Sequence, residues 1–271
     1  MIVLYPKGFV RDRALELGAL IKHSYTQFEQ RSTPATKQSW QPPGYTIVIE
    51  CKIKQPNGEV VPFGFIATKD NNCYIIFRGT RTPFEWIDDV AIKQVDYLAG
   101  WGQTTKGFND IYRKLSTQII SALNNLKKQI PSLANIFLTG HSLGGSIADL
   151  CAADIISNTS FKPISYTFGS PRTGDIDFAK KYLNSGIVSW RIFNTEDIVP
   201  TLPLPTFHIH PSELGLNDTT VELSLKLVLS NIASNLIFQH IGIPISFTFH
   251  KETISDNHNL DNYLQNLQAQ D

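Results

Sequence analysis

A serine flanked by glycines, placed after a strand and before a helix, is the feature that most constrains this chain. Residues 140–144 read Gly-His-Ser-Leu-Gly, with Ser142 in the middle. Apolar residues precede the motif, and residues 146–157 are typical of a helix. A strand, a tight turn and a helix in this order expose the serine hydroxyl, and the glycines permit the strained backbone. The pattern predicts that Ser142 is a nucleophile; the alternative is a glycine-rich turn whose serine is incidental.

Strands and helices alternate along most of the chain. From residue 74 onward, short apolar strands are separated by helical stretches, which implies a largely parallel sheet with helices on both faces. Two earlier strands, 45–53 and 60–67, are joined through Asn-Gly, a strong hairpin signal, and add an antiparallel edge. We therefore predict an α/β fold in one domain over 1–271. The predicted parallel strands are 74–77, 136–139, 164–168 and 187–193.

The composition excludes several classes of protein. Lysine and arginine together number 24, as do aspartate and glutamate, so the formal net charge is zero and no nucleic-acid partner is indicated. The N-terminal apolar stretch is too short for a signal peptide, and no apolar stretch reaches membrane-spanning length. We expect a cytoplasmic protein or one peripheral to membranes. Cys51, Cys73 and Cys151 are odd in number and widely spaced, which favours free buried thiols over disulfides or a zinc site.

A serine hydroxyl needs a base to take its proton and a third group to orient that base. In α/β enzymes with this type of turn, the acid and then the histidine follow the serine along the chain. Asp197 is the best acid because it comes just after a predicted strand, where such sheets place catalytic groups. Glu196 is a neighbouring alternative, and Asp175 and Asp177 are more distant ones.

Five histidines follow Asp197, and one of them is the best candidate for the base. His258 lies in a polar stretch that leads into a helix predicted at 262–267. His240 and His250 lie next to apolar segments, which favours structural roles for them. The remaining two candidates are His208 and His210.

Five stretches, in the expected order, resemble the class 3 lipases, the fungal-type triacylglycerol lipase family of the α/β-hydrolase superfamily. The resemblance covers the chain from about residue 77 to residue 263. The stretches are Phe-Arg-Gly-Thr at 77–80, Thr-Gly-His-Ser-Leu-Gly-Gly at 139–145, Tyr-Thr-Phe-Gly-Ser-Pro-Arg-Thr-Gly-Asp at 166–175, Asn-Thr-Glu-Asp-Ile-Val-Pro at 194–200 and His-Asn-Leu-Asp-Asn-Tyr at 258–263.

The resemblance implies a role for each candidate residue. Ser142 attacks the ester carbonyl, His258 takes its proton, and Asp197 orients the imidazole. The oxyanion hole is formed by the backbone N–H groups of Thr80 and Leu143. Asp89 is implied to accept a hydrogen bond from the hydroxyl of Thr80. No metal or cofactor is implied.

Three parts of the chain are not explained by these motifs. Thr105 stands where many members of the family carry a histidine. Residues 81–100 are where the family has its lid, although the apolar side chains there could equally belong to the core. Residues 221–249 fit no motif. Alternation over 221–229 suits a strand, the spacing of apolar residues over 225–236 suits a helix equally well, and the alternation over 241–249 predicts an extended segment.

The resemblance implies an enzyme that hydrolyses carboxylic esters of lipids, with a lipid or ester substrate and peripheral contact with lipid surfaces. A phospholipase A1, a galactolipase and an esterase of small soluble esters share the same triad, so the sequence does not distinguish them. A pseudo-lipase that serves as a binding scaffold is an alternative of a different class. The sequence predicts no particular oligomeric state.

Overall fold

The core of the molecule is a sheet with seven strands among the described residues. The computed structural model describes residues 5–55, 57–80, 93–203 and 237–269. The strands of this sheet are β1 (Thr46–Lys54), β2 (Val60–Lys69), β3 (Asn72–Phe77), β6 (Asn135–His141), β7 (Pro163–Phe168), β8 (Val188–Asn194) and β9 (Ile243–Phe247). A separate pair consists of β4 (Gln94–Asp96) and β5 (Gln103–Thr105).

The sheet is antiparallel at one edge and parallel elsewhere. β1 pairs with β2 and β2 with β3 in antiparallel register, whereas β3, β6, β7, β8 and β9 are parallel neighbours. The predicted hairpin and the predicted parallel sheet are therefore both confirmed. Because parallel strands point the same way, β6, β7, β8 and β9 end at one edge of the sheet, and side chains from all four can meet there.

Helices cover both faces of the sheet. They are α1 (Arg11–Glu29), α2 (Lys106–Gln129), α3 (Leu143–Asn158), α4 (Ile176–Asn184), α5 (Ile254–Asn257) and α6 (Leu260–Gln268), with short 3₁₀ turns at Ala35–Lys37 and Val199–Thr201. α1 and α6 pack on one face of the sheet against aromatic residues of β7 and β8. The residues buried there include Leu17 and Ile21 of α1, Tyr166 of β7, Trp190 of β8 and Tyr263 of α6. α2, α3 and α4 pack on the other face, including Phe108, Leu115, Ile147 and Phe178.

Burial explains the local sequence patterns. Burying a leucine or phenylalanine side chain stabilises a fold by roughly 1.5–3 kcal/mol, so two covered faces favour strands that are apolar throughout. In β3, Cys73 to Phe77 are all buried, as the lack of alternation predicts. The three cysteines are free and buried, which confirms that prediction.

The two ambiguous segments are described only in part. Residues 81–92 and 221–236 lie outside the described residues. Residues 94–98 belong to the body of the fold. The side-chain amide of Gln94 donates to the carbonyl of Ile237 (2.6 Å), and the hydroxyl of Tyr97 donates to the carbonyl of Leu150 (2.7 Å). The extended interpretation of 241–249 is confirmed by β9, whose Ile245 and Phe247 are buried. No helix in the part described is long and apolar enough to cross a membrane.

Candidate active site

Ser142 occupies a strained turn between β6 and α3. Its positive φ of 58°, with ψ at −131°, is one that residues other than glycine rarely adopt, and Asp70 is the other non-glycine residue with a positive φ in the part described. Strain of this kind costs about 1–3 kcal/mol and persists where surrounding contacts enforce it. The Ser142 N–H donates to the Phe168 carbonyl, and the Ser142 carbonyl accepts from the Gly145 N–H, both at 2.9 Å. The predicted strand-turn-helix around Ser142 is therefore confirmed.

Two glycines of the motif are required by close packing. A Cβ atom at position 140 would lie 2.1 Å from the carbonyl oxygen of Gly144, and one at position 144 would lie 2.5 Å from that of Arg78. Any larger residue at Gly140 or Gly144 would collide with backbone. The second contact also shows that the turn after β3, residues 78–80, lies directly against the turn that carries Ser142.

The structure brings Asp197 and His258 together. The Nδ1 atom of His258 lies 2.6 Å from Oδ2 of Asp197, and about 1% of each residue is exposed. A carboxylate can only accept, so Nδ1 carries the hydrogen and Nε2 has a free lone pair. Neither that Nε2 nor the Oγ of Ser142 has a hydrogen-bond partner among the described residues. A hydrogen bond between a catalytic serine and its histidine is often long or poorly aligned before a substrate binds.

Asp197 is held by a network that the sequence analysis did not predict. Its Oδ1 accepts from the backbone N–H of Val199 (2.9 Å), and its Oδ2 accepts from the hydroxyl of Tyr263 (2.6 Å). Asn194 donates its N–H to that same hydroxyl (3.1 Å) and its amide to the carbonyl of Asn257 (3.2 Å). Burial, followed by the charge of Asp197, raises the pKa of Tyr263 well above its usual range, so its hydroxyl stays a donor.

His141, next to the nucleophile, contacts the predicted base from the opposite side. Its Nε2 lies 2.8 Å from the carbonyl oxygen of His258, and its Nδ1 lies 2.9 Å from the hydroxyl of Tyr25. Burial, and then the proximity of His258, lowers the pKa of His141 well below its usual range. In this neutral ring the hydrogen must be on Nε2, because a carbonyl only accepts. The hydroxyl of Tyr25 therefore donates to Nδ1, while it accepts from the N–H of Gly79 (3.1 Å).

The turn that carries Thr80 is fixed beside Ser142. Arg78 donates from Nε to the Pro62 carbonyl (2.9 Å) and from Nη1 to the Gly79 carbonyl (2.8 Å). A Cβ atom at position 79 would lie 3.0 Å from that of Ser142. Leu143 is the first residue of α3, where helix N–H groups lack partners within the helix. Leu143 therefore follows the nucleophile directly and Thr80 follows a glycine that packs against it, whereas Asp89 lies outside the described residues.

The alternative candidates occupy other environments. His250 is 77% exposed and lies 3.4 Å from Glu196, so it is a surface residue and not the structural one expected. His240 is half-buried, and removal from solvent followed by the charges of Arg191 and Arg172 lowers its pKa to about 3. Asp175 accepts from the N–H of Phe178 and caps α4. His208 and His210 lie outside the described residues.

Comparisons with known proteins point to one family. The sequence model of lipase (class 3) matches residues 74–207. The chain is 37% identical over 150 residues to a lipase of Rhizomucor miehei, covering 53% of this chain and 41% of that protein. It is 31% identical over 174 residues to phospholipase A1-II 1 of Oryza sativa subsp. indica, covering 56% and 42% respectively. A solved triacylglycerol lipase in which a serine protease triad forms the catalytic centre is 28% identical, with a TM-score of 0.60 and coverage of 72% and 76%.

The chain belongs to the class 3 lipase family. Its fold is that of the α/β-hydrolases, as the solved neighbour shows. The chain spans less than half the length of the two relatives, 41% of one and 42% of the other. Thr105, where many class 3 lipases carry a histidine, is buried at the junction of β5 and α2, and its N–H donates to the carbonyl of Thr173 at 3.1 Å.

Several residues of the site were not singled out from the sequence. Tyr25 lies on α1, more than a hundred residues before the motif in the chain, and no motif includes it. His141 lies inside the motif, but the motif carries no information about where its ring points. Tyr263 was part of the resemblance without an assigned role. Asn194 ends β8, and its position three residues before Asp197 was the one available signal.

Proposed function

We propose that this chain is a serine carboxylester hydrolase that acts on esters of lipids. The observation that carries the proposal is the buried pair of Asp197 and His258, 2.6 Å apart, beside a serine on a strained turn. The names of its relatives support it, since they are lipases and phospholipases A1. The domain expectation is kept as a proposal too: one domain over 1–271, with a lid within 81–100.

In the proposed first step, Oγ of Ser142 attacks the ester carbonyl carbon while Nε2 of His258 takes the hydroxyl proton. Asp197 orients the ring and stabilises the imidazolium that forms. The carbonyl oxygen becomes an oxyanion, which accepts from the backbone N–H groups of Thr80 and Leu143. When the intermediate collapses, the bond to the alcohol breaks and the alcohol leaves with the proton from Nε2.

The second step releases the acid. Water attacks the acyl-enzyme, Nε2 of His258 takes a proton from that water, and the carboxylic acid leaves as the proton returns to Oγ of Ser142. The hydroxyl of Thr80 is proposed to add a third donor to the oxyanion, oriented by Asp89.

The test of the nucleophile combines a covalent probe with variants. A fluorophosphonate should label the wild-type protein, and Ser142→Ala should abolish labelling and lower the esterase rate by about 10⁴–10⁶. His258→Ala should be nearly as damaging, and the double variant little worse, because the triad acts as a unit. Ser121→Ala, on the exposed side of α2, is the matched control. An unlabelled wild-type protein would favour the binding-scaffold alternative.

The substrate class is tested by acyl-chain length. Each CH₂ of a bound chain contributes about 0.8 kcal/mol when buried, so a lipase should prefer octanoate to acetate by tenfold or more. The measurement is kcat/KM on p-nitrophenyl esters of increasing length, followed by dispersed triacylglycerol, phospholipid and galactolipid. A fall in rate beyond acetate, without turnover of dispersed lipid, would leave an esterase of small esters.

A further inference from the structure

One face of the sheet is polar along β7 and β8. Tyr166 and Trp190 point to the face covered by α1, where they belong to the aromatic core. Because side chains alternate along a strand, the residues next to them point to the face covered by α3. These neighbours are Ser165, Thr167, Ser189 and Arg191. The α3 side of these two strands therefore offers hydrogen-bonding and charged groups in place of an apolar core.

Two arginines and a histidine lie close together near the C-terminal end of this polar face. Arg191 is three residues before the end of β8. Arg172 and His240 belong to two segments that are joined by a backbone hydrogen bond, from the N–H of residue 239 to the carbonyl of residue 174 (2.9 Å). Removal from solvent and then the charges of both arginines lower the pKa of His240, which is the effect expected of near neighbours.

The guanidinium of Arg191 is only partly compensated for its removal from water. Its Nε is buried and has no hydrogen-bond partner among the described residues. The group packs on the ring of Phe193, with Cζ 4.4 Å from the ring centroid. Burial lowers the pKa of Arg191 to about 10, against the opposing charge of Asp149. A cation in this position is stabilised by an anion that its outer N–H groups can reach.

Arg172 is held in place by the loop that follows Asp197. Its Nη1 donates to the carbonyls of Thr201 and Pro203, the latter at 2.8 Å. Its backbone N–H donates to the carbonyl of Leu202 (2.7 Å). A guanidinium has more N–H donors than these contacts use, so donors remain for a ligand. Because the side chain is already ordered, little conformational entropy is lost when a ligand binds.

The charges of the cluster are not balanced by the described residues. Asp149 is the one described carboxyl group whose charge acts on these three side chains. Its Oδ2 accepts from the hydroxyl of Thr173 (3.0 Å), and its Oδ1 has no partner in the part described. Burial raises the pKa of Asp149 to about 8, so this group is mostly neutral at pH 7. The arginines then present two positive charges, and protonation of His240 would add a third.

We propose that Arg172, Arg191 and His240 form an anion site that binds a phosphate group, either free phosphate or a phosphate monoester. A phosphate monoester carries a charge of about −1.5 to −2 at pH 7, which matches two arginines, whereas a carboxylate carries only −1. Arginine also binds phosphate oxygens through paired N–H groups. None of the three side chains takes part in the proposed reaction, so the inference does not rest on the proposed function.

The test measures binding to the whole protein by isothermal titration calorimetry at pH 7. The ligands are inorganic phosphate, glycerol 3-phosphate and octanoate, each at the same ionic strength, because salt screens exposed charges. We expect at least one of the phosphates to bind with a Kd of about 1 mM or lower, and octanoate to bind at least tenfold more weakly. The tighter of the two phosphates distinguishes the free ion from an ester. Ser142→Ala should bind with the same affinity as the wild type.

A variant of one arginine tests the site directly. Arg191→Gln should weaken phosphate binding by about 10–100-fold, since a charge-assisted hydrogen bond is lost. The matched control is Arg113→Gln, at an exposed arginine of α2, which should leave the affinity unchanged. His240→Gln provides a second variant at a half-buried position if Arg191→Gln does not fold, and it should weaken binding at pH 5 more than at pH 7.

The ring of His240 gives a readout on the wild-type protein. A bound anion favours the imidazolium, so phosphate should raise the pKa of His240 from its value of about 3, as followed by NMR in phosphate and in chloride. An unchanged titration of His240 would overturn the inference. So would an absence of phosphate binding at 10 times the expected Kd of about 1 mM, an affinity that Arg191→Gln leaves unaltered, or tighter binding of octanoate than of either phosphate.

Discussion

The ring of His141 stacks on the ring of His258, with centroids 4.5 Å apart and planes inclined by 30°. Nε2 of His141 also donates to the carbonyl of His258. One side chain therefore contacts both the ring and the backbone of the proposed base. Asp197 holds the same base at Nδ1, so the orientation of His258 is fixed from two directions.

Replacing His141 should impair catalysis through the position of His258. His141→Phe keeps an aromatic ring for stacking but removes both hydrogen bonds, and we expect kcat to fall by about 10–100-fold with little change in KM. His141→Gln retains a donor for the carbonyl and should recover part of that loss. The check is steady-state kinetics on p-nitrophenyl butyrate for both variants. A role limited to stability would leave kcat per folded molecule unchanged, and the glutamine variant would then have no advantage.

The hydroxyl of Tyr263 should set the basicity of the triad. In Tyr263→Phe, Oδ2 of Asp197 loses a donor and interacts more strongly with His258, which favours the imidazolium. The acidic limb of the kcat/KM profile should therefore move to higher pH. The free energy of unfolding should fall by about 1.5–3 kcal/mol, because a hydrogen bond to a charged group is lost. A profile with an unmoved acidic limb would assign Tyr263 a purely structural role, and Tyr45→Phe, at a phenol remote from the triad, is the comparison.

The hydroxyl of Thr80 is tested by Thr80→Val, which keeps the backbone donor and the shape of the residue. If the hydroxyl stabilises the oxyanion, kcat should fall by about 10²–10³ with a modest change in KM. Asp89→Ala should then cause a similar loss, and the two changes together should cost little more than either one. Unchanged turnover in Thr80→Val would leave Thr80 with its N–H alone and would remove the role proposed for Asp89.

The buried Asp149 should make stability depend on pH. Burial raises the pKa of Asp149 to about 8, against the opposing influence of a hydrogen bond from Thr173 and the charge of Arg191. An acid whose pKa is raised by folding binds its proton more tightly in the folded state. Its contribution therefore falls as the pH rises above the unfolded value of about 3.9, and the fall is complete above the folded value.

Asp149→Asn removes this titration while keeping an acceptor for Thr173. The difference in free energy of unfolding, variant minus wild type, should increase by a few kcal/mol between about pH 4 and pH 8, since one pKa unit corresponds to about 1.4 kcal/mol. Urea titrations across this range measure the difference. Asp177→Asn, on the surface of α4, is the matched control. A difference that stays constant, or decreases with pH, contradicts the prediction.

The sequence predicts the fold well where local pattern and burial coincide. The parallel strands and the elbow at Ser142 are predicted because each depends on a few neighbouring residues. Asp197 and His258 could be proposed as partners because their order along the chain, the strand that precedes Asp197 and the polar stretch around His258 are visible in the sequence.

The contacts that orient these groups depend on packing between distant elements. Tyr25 comes from α1, and its bond to His141 depends on how that helix crosses the sheet. The alternation that predicts an extended segment at 241–249 does not specify that Ile243 pairs with Trp190 of β8. Such relationships have no local pattern from which they could be inferred.

The distances along the chain between these contacts have a consequence for refolding. Asp197 and His258 are 61 residues apart in sequence, and His141 and His258 are 117 apart. Contacts of long sequence separation must overcome the entropy of closing a large loop, which slows their formation. When the chain refolds from urea, helical circular dichroism should return before esterase activity does. Recovered activity would then mark the moment at which the C-terminal segment docks against β8.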